Sequence, residues 1–269
     1  MMKATMVQRA VEGLTLFAAR ILNTVVVVLV KMHSTWSPSS SAAAEDDDDD
    51  NDTGYGLSWR LAVEANNVGP WQTVPARCYR HVQKYIMEGQ YQNDVQLIAD
   101  QILNYAREIP LSSDGFDAWV FDVDDTCISN INYYKTLRFG CDAFDKVKFK
   151  EWITKGACPA IPSVLKVFNT LTEKGFKVFL LTGRDQAILG NITTRNLHSQ
   201  GFTAYYRLIL RQGEYKGESV SKYKSEKRKE IEREGYRIWG NVGDQWSDLQ
   251  GYSLGNRTFK LPNPMYFIA

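Results

Sequence analysis

Four short apolar runs, each closed by polar residues, punctuate the second half of the chain: Ala118–Phe121 (AWVF), Lys177–Leu181 (KVFLL), Tyr206–Leu210 (YRLIL) and Tyr236–Val242 (YRIWGNV). Runs of this length predict strands buried on both faces of a parallel sheet. Between them the pattern turns helical. A helix is expected from about Pro162 to Lys174, ending at Gly175. Lys222–Arg233 (KYKSEKRKEIER) interleaves glutamates with lysines and arginines, which predicts a helix with a solvated face. Ahead of the first strand, Pro75 opens a helix with Tyr79, Val82 and Ile86 at its apolar positions. Asn93 or Asp94 is expected to cap a second, with Val95, Ile98, Ile102 and Leu103 on one face. Strands alternating with helices imply βαβ units and right-handed crossovers. The fold class is therefore α/β, a three-layer doubly wound (Rossmann-like) parallel sheet. The helices of residues 75–110 and an aromatic-rich insert at about 127–160 are expected to lie over the sheet edge, the insert as a small, mainly helical cap.

Two stretches fall outside this pattern. Leu14–Val30 is apolar but broken by Arg20 and Asn23. Its longest clean piece, Ile21–Val30, suits a signal-peptide core better than a membrane span, which needs about 20 apolar residues. Ala42–Ala44 offers small residues for cleavage, though far from that core, and an organelle transit peptide is the competing reading. Ser37–Thr53 is low in complexity and acidic. It reads as a solvated, disordered linker rather than a calcium site, because nothing fixes ligand geometry there. Residues 1–53 are thus expected to be targeting and linker sequence, and 54–269 a single folded domain. Sequons at Asn51, Asn191 and Asn256 lend the secretory route mild support.

Composition narrows the classes further. A chain of 269 residues can bury a full core, and 44% hydrophobic with 23% charged residues is ordinary for a globular protein. A formal net charge of +1 leaves no electrostatic footprint for nucleic acid. Cys78, Cys127, Cys141 and Cys158 show no CxxC spacing and no histidine pairing, which argues against zinc. They can form two bridges in any of three connectivities or remain free buried thiols, and both readings stay open.

The chemistry concentrates at strand ends. Ala118–Phe121 runs into Asp122-Val123-Asp124-Asp125-Thr126, placing three carboxylates within four positions at the edge of an α/β sheet where ligands bind. Such acids repel one another unless a cation or a proton offsets them. The second run enters Thr182-Gly183-Arg184, and the fourth enters Gly243-Asp244-Gln245-Trp246-Ser247-Asp248. Lys224 sits at the start of the charged helix. In a doubly wound sheet all these positions meet above one crevice. A divalent cation with oxygen ligands would reconcile the acids with an anionic substrate, while Thr182, backbone amides such as that of Gly183, and Lys224 would hold phosphate oxygens. An EF-hand is excluded, since its sixth loop position needs glycine.

FDVDDT, LLTGR, YKSEKR and GNVGDQWSD, in this order, resemble the four motifs of the haloacid dehalogenase-like superfamily. Within it, the stretch from about Val74 onward, including Cys78…Tyr85, Gly89-Gln90-Tyr91 and Glu151-Trp152, resembles plant acid phosphatases related to vegetative storage proteins. The resemblance implies a capped α/β fold of the haloacid dehalogenase type and phosphomonoester hydrolysis. Asp122 would be the nucleophile, forming an aspartyl-phosphate, and Asp124 the general acid and base. Mg2+ would be held by Asp122, the carbonyl of Asp124 and Asp244, with Asp248 supporting that shell. Thr182, Gly183 and Lys224 would bind the phosphoryl oxygens. Arg184 fits a motif-end residue with a less defined role, and Asp125 is expected to be a bystander. Tyr133, Tyr134, Phe139, Phe144 and Trp152 offer the cap either selectivity or simple packing. The implied partners are small phosphomonoesters and, optionally, a second copy of the chain. Membrane contact would run only through the N-terminal apolar segment, were it uncleaved, and the implied location is vacuolar or extracellular. A storage glycoprotein with weak or no activity is the alternative, as is a phosphotransferase.

Overall fold

A computed structural model describes residues 47–268. Leu14–Val30, Ala42–Ala44 and the first part of Ser37–Thr53 lie outside the described residues. The first helix among the described residues, α1 (Asp47–Glu64), begins ahead of Gly54 and takes in the end of the acidic run. Its last residue is tied down: Glu64 accepts from Lys260 Nζ at 2.7 Å and from the Asn263 amide at 2.8 Å.

A 3₁₀ turn at Ala76–Cys78 leads into α2 (Tyr79–Met87), followed by α3 (Gln90–Glu108). The second of these starts earlier than an Asn93 or Asp94 cap would place it. Gly89, at φ 97°, makes the break between the two helices, a left-handed conformation that favours glycine. Asp94 lies inside the helix, where its carboxylate accepts from Tyr85 Oη at 2.8 Å, Arg60 Nη1 at 3.0 Å and Gln90 Nε2 at 2.7 Å. Its preference for polar partners is met by tertiary contacts rather than by a cap.

β1 (Asp117–Phe121) follows, and then the insert: α4 (Ile131–Thr136), a 3₁₀ turn at Arg138–Gly140, and α5 (Lys146–Thr154). The insert leaves and returns through an antiparallel bridge between Ile128 and Ala160. The chain continues as α6 (Pro162–Lys174), β2 (Lys177–Asp185), α7 (Gln186–Ser199), β3 (Arg207–Arg211), α8 (Val220–Arg233), β4 (Arg237–Gly243) and β5 (Arg257–Lys260). Gly175, at φ 105°, caps α6 as its position predicts. Ser219 caps α8 by accepting from the Lys222 amide at 3.2 Å.

All five strands are parallel, in the order β3-β2-β1-β4-β5. The chain winds from β1 outward through β2 to β3, then crosses back to place β4 on the other side. The carboxyl end of β1 therefore sits at the switch point of the sheet, where the crevice forms. The four strands expected from the pattern are present. β2 extends through Thr182-Gly183-Arg184 to Asp185, and β5 is the strand the pattern does not reveal, because among Arg257–Lys260 only Phe259 is fully buried.

β1 is buried along its whole length and feeds two cores. Trp119 and Phe121 face one cluster with Ile102, Phe168, Leu171, Val178 and Leu180. Ala118 and Val120 face the other, with Phe179, Leu181, Tyr223 and Ile231. This alternation puts the next even position, Asp122, on the side where α8 packs. A third cluster joins α2 and the insert to the C-terminal segment through Val74, Val82, Tyr85, Tyr133, Tyr134, Phe139 and Met265. All four cysteines are free thiols.

Trp119 is wholly buried, and it pairs in register with Gly240 of β4. A Cβ at position 240 would land on the indole ring. Gly240→Ala is therefore expected to lower stability by about 1–3 kcal/mol through overpacking. Denaturant unfolding measures this, and a variant as stable as the wild type would show that the indole can move aside.

Candidate active site

The chain turns sharply after β1. The Asp122 amide still pairs with Val242 O at 2.9 Å, while Cys127 and Ile128 both return their amides to Val123 O at 3.0 Å. Val123 points into the core and is fully buried. The turn fans Asp122, Asp124 and Asp125 toward three different sets of partners.

Asp122 meets α8. Lys224 Nζ, itself buried, bridges Asp122 Oδ1 and Asp248 Oδ1. Asp248 reaches this position because Gly243, at the end of β4, has no Cβ; one there would collide with the Asp248 carboxyl. The Gln245 amide donates to Asp248 Oδ2 at 3.0 Å and fixes it from the other side. Asp122, Asp244 and Asp248 form a buried trio whose ligand atoms all lie within 4.8 Å of one another. An all-oxygen, all-carboxylate donor set fits a hard divalent cation. The side chain of Asp124 is not among the three.

Asp124 instead meets β2. Arg184 grips it from Nε at 3.0 and 3.1 Å and from Nη2 at 2.7 Å. Thr182 Oγ1 donates to it at 3.3 Å and Asn130 Nδ2 at 2.9 Å. Thr182 also accepts from the Arg184 amide at 3.1 Å. Gly183 lies between them, exposed, with open space at its Cα. Arg184 is held in turn by Thr193 Oγ1 at 3.2 Å.

Asp125, at φ 54°, organises the loop rather than standing aside from it. It accepts from the Asn130 amide at 2.7 Å, Asn130 Nδ2 at 3.2 Å and Tyr266 Oη at 2.8 Å. The C-terminal segment also holds Asp244, through Asn263 Nδ2 at 2.6 Å and Tyr266 Oη at 3.2 Å. Asn130, Asn263 and Tyr266 carry no recognisable spacing in the sequence and become visible only when the fold brings them in. Asn130 further accepts from Trp152 Nε1 of α5 at 3.1 Å, linking the cap to Asp124 through one side chain. Of the other cap aromatics, Tyr133, Tyr134 and Phe139 are buried packing residues, and Phe144 is exposed.

The electrostatics follow from this division. Burial raises the Asp122 carboxyl well above its usual range; Lys224 opposes the rise, and Asp248, Asp244 and Asp124 add to it. Burial and Asp248 push Asp244 up to about 7, and burial pushes Asp125 up to about 6. Burial works against Asp124 as well, yet the charge and hydrogen bonds of Arg184 outweigh it and hold that carboxyl below its usual range. Lys224, desolvated but facing two carboxylates, is raised.

The raised acids give the metal-free protein a signed pH dependence. Unfolded carboxylates titrate near 4, so between that value and about 7 the fold retains protons the unfolded chain has lost. Stability from Asp122, Asp125 and Asp244 is then fully present at low pH and is lost as pH rises through their folded pKa values. His81, lowered by burial, works in the opposite sense as a single group. With a chelator present, the melting temperature is expected to fall from pH 5 to pH 7.5. A melting temperature that climbs over this interval would mean the acids are ionised in the fold.

The chain has matches among known proteins. Residues 41–269 match the model of the HAD superfamily, subfamily IIIB (acid phosphatase). The chain belongs to this acid phosphatase family. It is 44% identical to acid phosphatase 1 of Solanum lycopersicum over 211 residues, covering 78% of this chain and 82% of that protein. It is 37% identical to vegetative storage protein 2 of Arabidopsis thaliana, covering 78% and 79%. Among solved structures, the class C acid phosphatase from Bacillus anthracis aligns over 80% of this chain and 86% of its own, at 20% identity and a TM-score of 0.49.

Proposed function

We propose that this chain hydrolyses small phosphate monoesters through an aspartyl-phosphate formed on Asp122. The observation that carries this reading is the convergence of Asp122, Lys224, Asp244 and Asp248 in one buried cluster at the switch point of the sheet. An Asp122 carboxylate oxygen attacks the phosphorus in line and displaces the alcohol, and water then releases phosphate from the carboxyl. Lys224 supplies the positive charge nearest the attacking oxygen. Thr182 and the main chain at the exposed Gly183 would receive the phosphoryl oxygens. Asp122, the main-chain carbonyl of Asp124, Asp244 and Asp248 would hold Mg2+, which when bound screens the carboxylates from the incoming phosphate and polarises it.

Asp124 handles the proton. In the ionised form that Arg184 favours, it accepts a proton from the attacking water in the second step; in the first step its protonated form delivers one to the leaving alcohol. Arg184 therefore sets the fraction of enzyme poised for the first step at a given pH. Arg184→Gln removes the group that depresses Asp124, so the alkaline limb of kcat/KM is expected to move to higher pH. A fall in rate with both limbs in place would reduce Arg184 to an orienting role.

The storage reading draws on relatives such as vegetative storage protein 2, and it predicts weak or no activity. Residue 122 is aspartate here, with its lysine and acidic partners assembled around it, which favours catalysis. Hydrolysis of a generic aryl phosphate, with and without Mg2+, tests both. Metal-dependent turnover abolished by Asp122→Asn is expected. Equal rates in the two proteins would remove Asp122 as nucleophile, and no turnover in either would restore the storage reading.

A further inference from the structure

The four thiols divide into two neighbourhoods. Cys127 and Cys158 belong to the core beneath the site, and each has a polar partner there. Cys127 Sγ donates to Asp122 O at 3.2 Å, while Cys158 Sγ donates to Asn130 Oδ1 at 3.4 Å and lies 3.9 Å from Arg184 Nη2. Cys78 and Cys141 share the other cluster, between the start of α2 and the end of the 3₁₀ turn in the insert.

The geometry around this second pair is specific. The carbonyl of Pro75 accepts the Cys78 amide at 2.8 Å and lies 4.0 Å from Cys141 Sγ, so the main chain of one cysteine and the thiol of the other meet at one atom. One residue before each of these contacts, the Val74 amide donates to Gly140 O at 2.8 Å and locks the two segments side by side. The rings of Tyr79 and Phe139, close by in the chain, lie 6.2 Å apart. Cys78 is buried, whereas Cys141 is half-buried.

We propose that Cys78 and Cys141 form a disulfide when the protein meets an oxidising thiol–disulfide couple, and that Cys127 and Cys158 remain thiols. The bridge would staple α2 to the insert that stands over the site, closing a loop across β1. The oxidant is a low-molecular-weight disulfide such as oxidised glutathione, or the disulfide of an exchange catalyst. The Cys141 thiolate attacks one sulfur of that disulfide and expels the other as a thiolate, leaving a mixed disulfide. Cys78, deprotonated, then attacks Cys141 Sγ, forms the bridge and expels the second thiolate. Two protons leave the cysteines, two electrons reduce the oxidant, and two small thiols result. Burial and the neighbouring Cys141 raise the Cys78 thiol to about 11, and burial raises Cys141, so the exchange is expected to be slow at neutral pH.

The test is thiol counting and peptide mapping of the full chain. Native protein equilibrated with oxidised glutathione should lose two of its four alkylatable thiols after denaturation, give one Cys78–Cys141 linked peptide, and melt at a higher temperature than reduced protein. Cys141→Ser, at a half-buried position, should keep the fold, abolish the linked peptide and remove the redox dependence of melting. Retention of all four thiols, a stable glutathione adduct at Cys141, or a bridge between any other pair would overturn the proposal.

Discussion

Everything near the crevice depends on how buried negative charge is balanced. The turn after β1, the end of β4 and the loop following it all contribute acids to a volume with little water, and Lys224 is the cation that Asp122 and Asp248 share. Removing one partner of a buried ion pair costs about 3–5 kcal/mol, because an uncompensated charge is left behind. That constraint explains why α8, otherwise a solvated helix rich in lysine and glutamate, turns Lys224 inward, while Arg228 and Ser225 beside it donate to main-chain carbonyls of the loop after β4. It explains the missing side chain at Gly243, without which Asp248 could not close on the same lysine. A second balance, Arg184 against Asp124, sits beside the first and is felt by it, since Asp124 adds to the rise at Asp122. Two carboxylates two residues apart thus acquire opposite protonation tendencies from their surroundings alone.

β1 and the first half of β2 were legible because they are buried on both faces, which leaves a continuous apolar signature in AWVF and KVFLL. β5 was not, since an edge strand with one buried residue leaves no such trace. The helix start at Gln90 was misplaced for a related reason. Asp94 looks like a cap in isolation, and only Arg60 and Tyr85, brought from elsewhere, show where its carboxylate is used.

Within the site, the groups that lie on strand ends could be read in order along the chain, because doubly wound topology gathers strand ends by itself. The supporting groups could not. Asn130 is an unremarkable residue at the mouth of an insert, and Asn263 and Tyr266 belong to a segment without periodicity. Their importance is a matter of which hydrogen bonds they complete, a property of the folded contacts rather than of spacing. Asp125 shows the same limit from the other side: a residue that seems superfluous in a motif of acids is the hub on which Asn130 and Tyr266 fasten the loop.

The separation of these partners along the chain bears on how the protein acquires its site. Asp124 and Arg184 are 60 residues apart, Asp122 and Lys224 102, and Asp125 and Tyr266 141. Loop-closure entropy must be met before contacts so distant can contribute, and parallel strands joined by crossovers form slowly for the same reason. The loop from Asp122 to Asn130 carries three of the acids and one of their amide partners, while Arg184, Lys224 and Tyr266 come from distant segments. Chemical competence thus depends on contacts that span the whole domain.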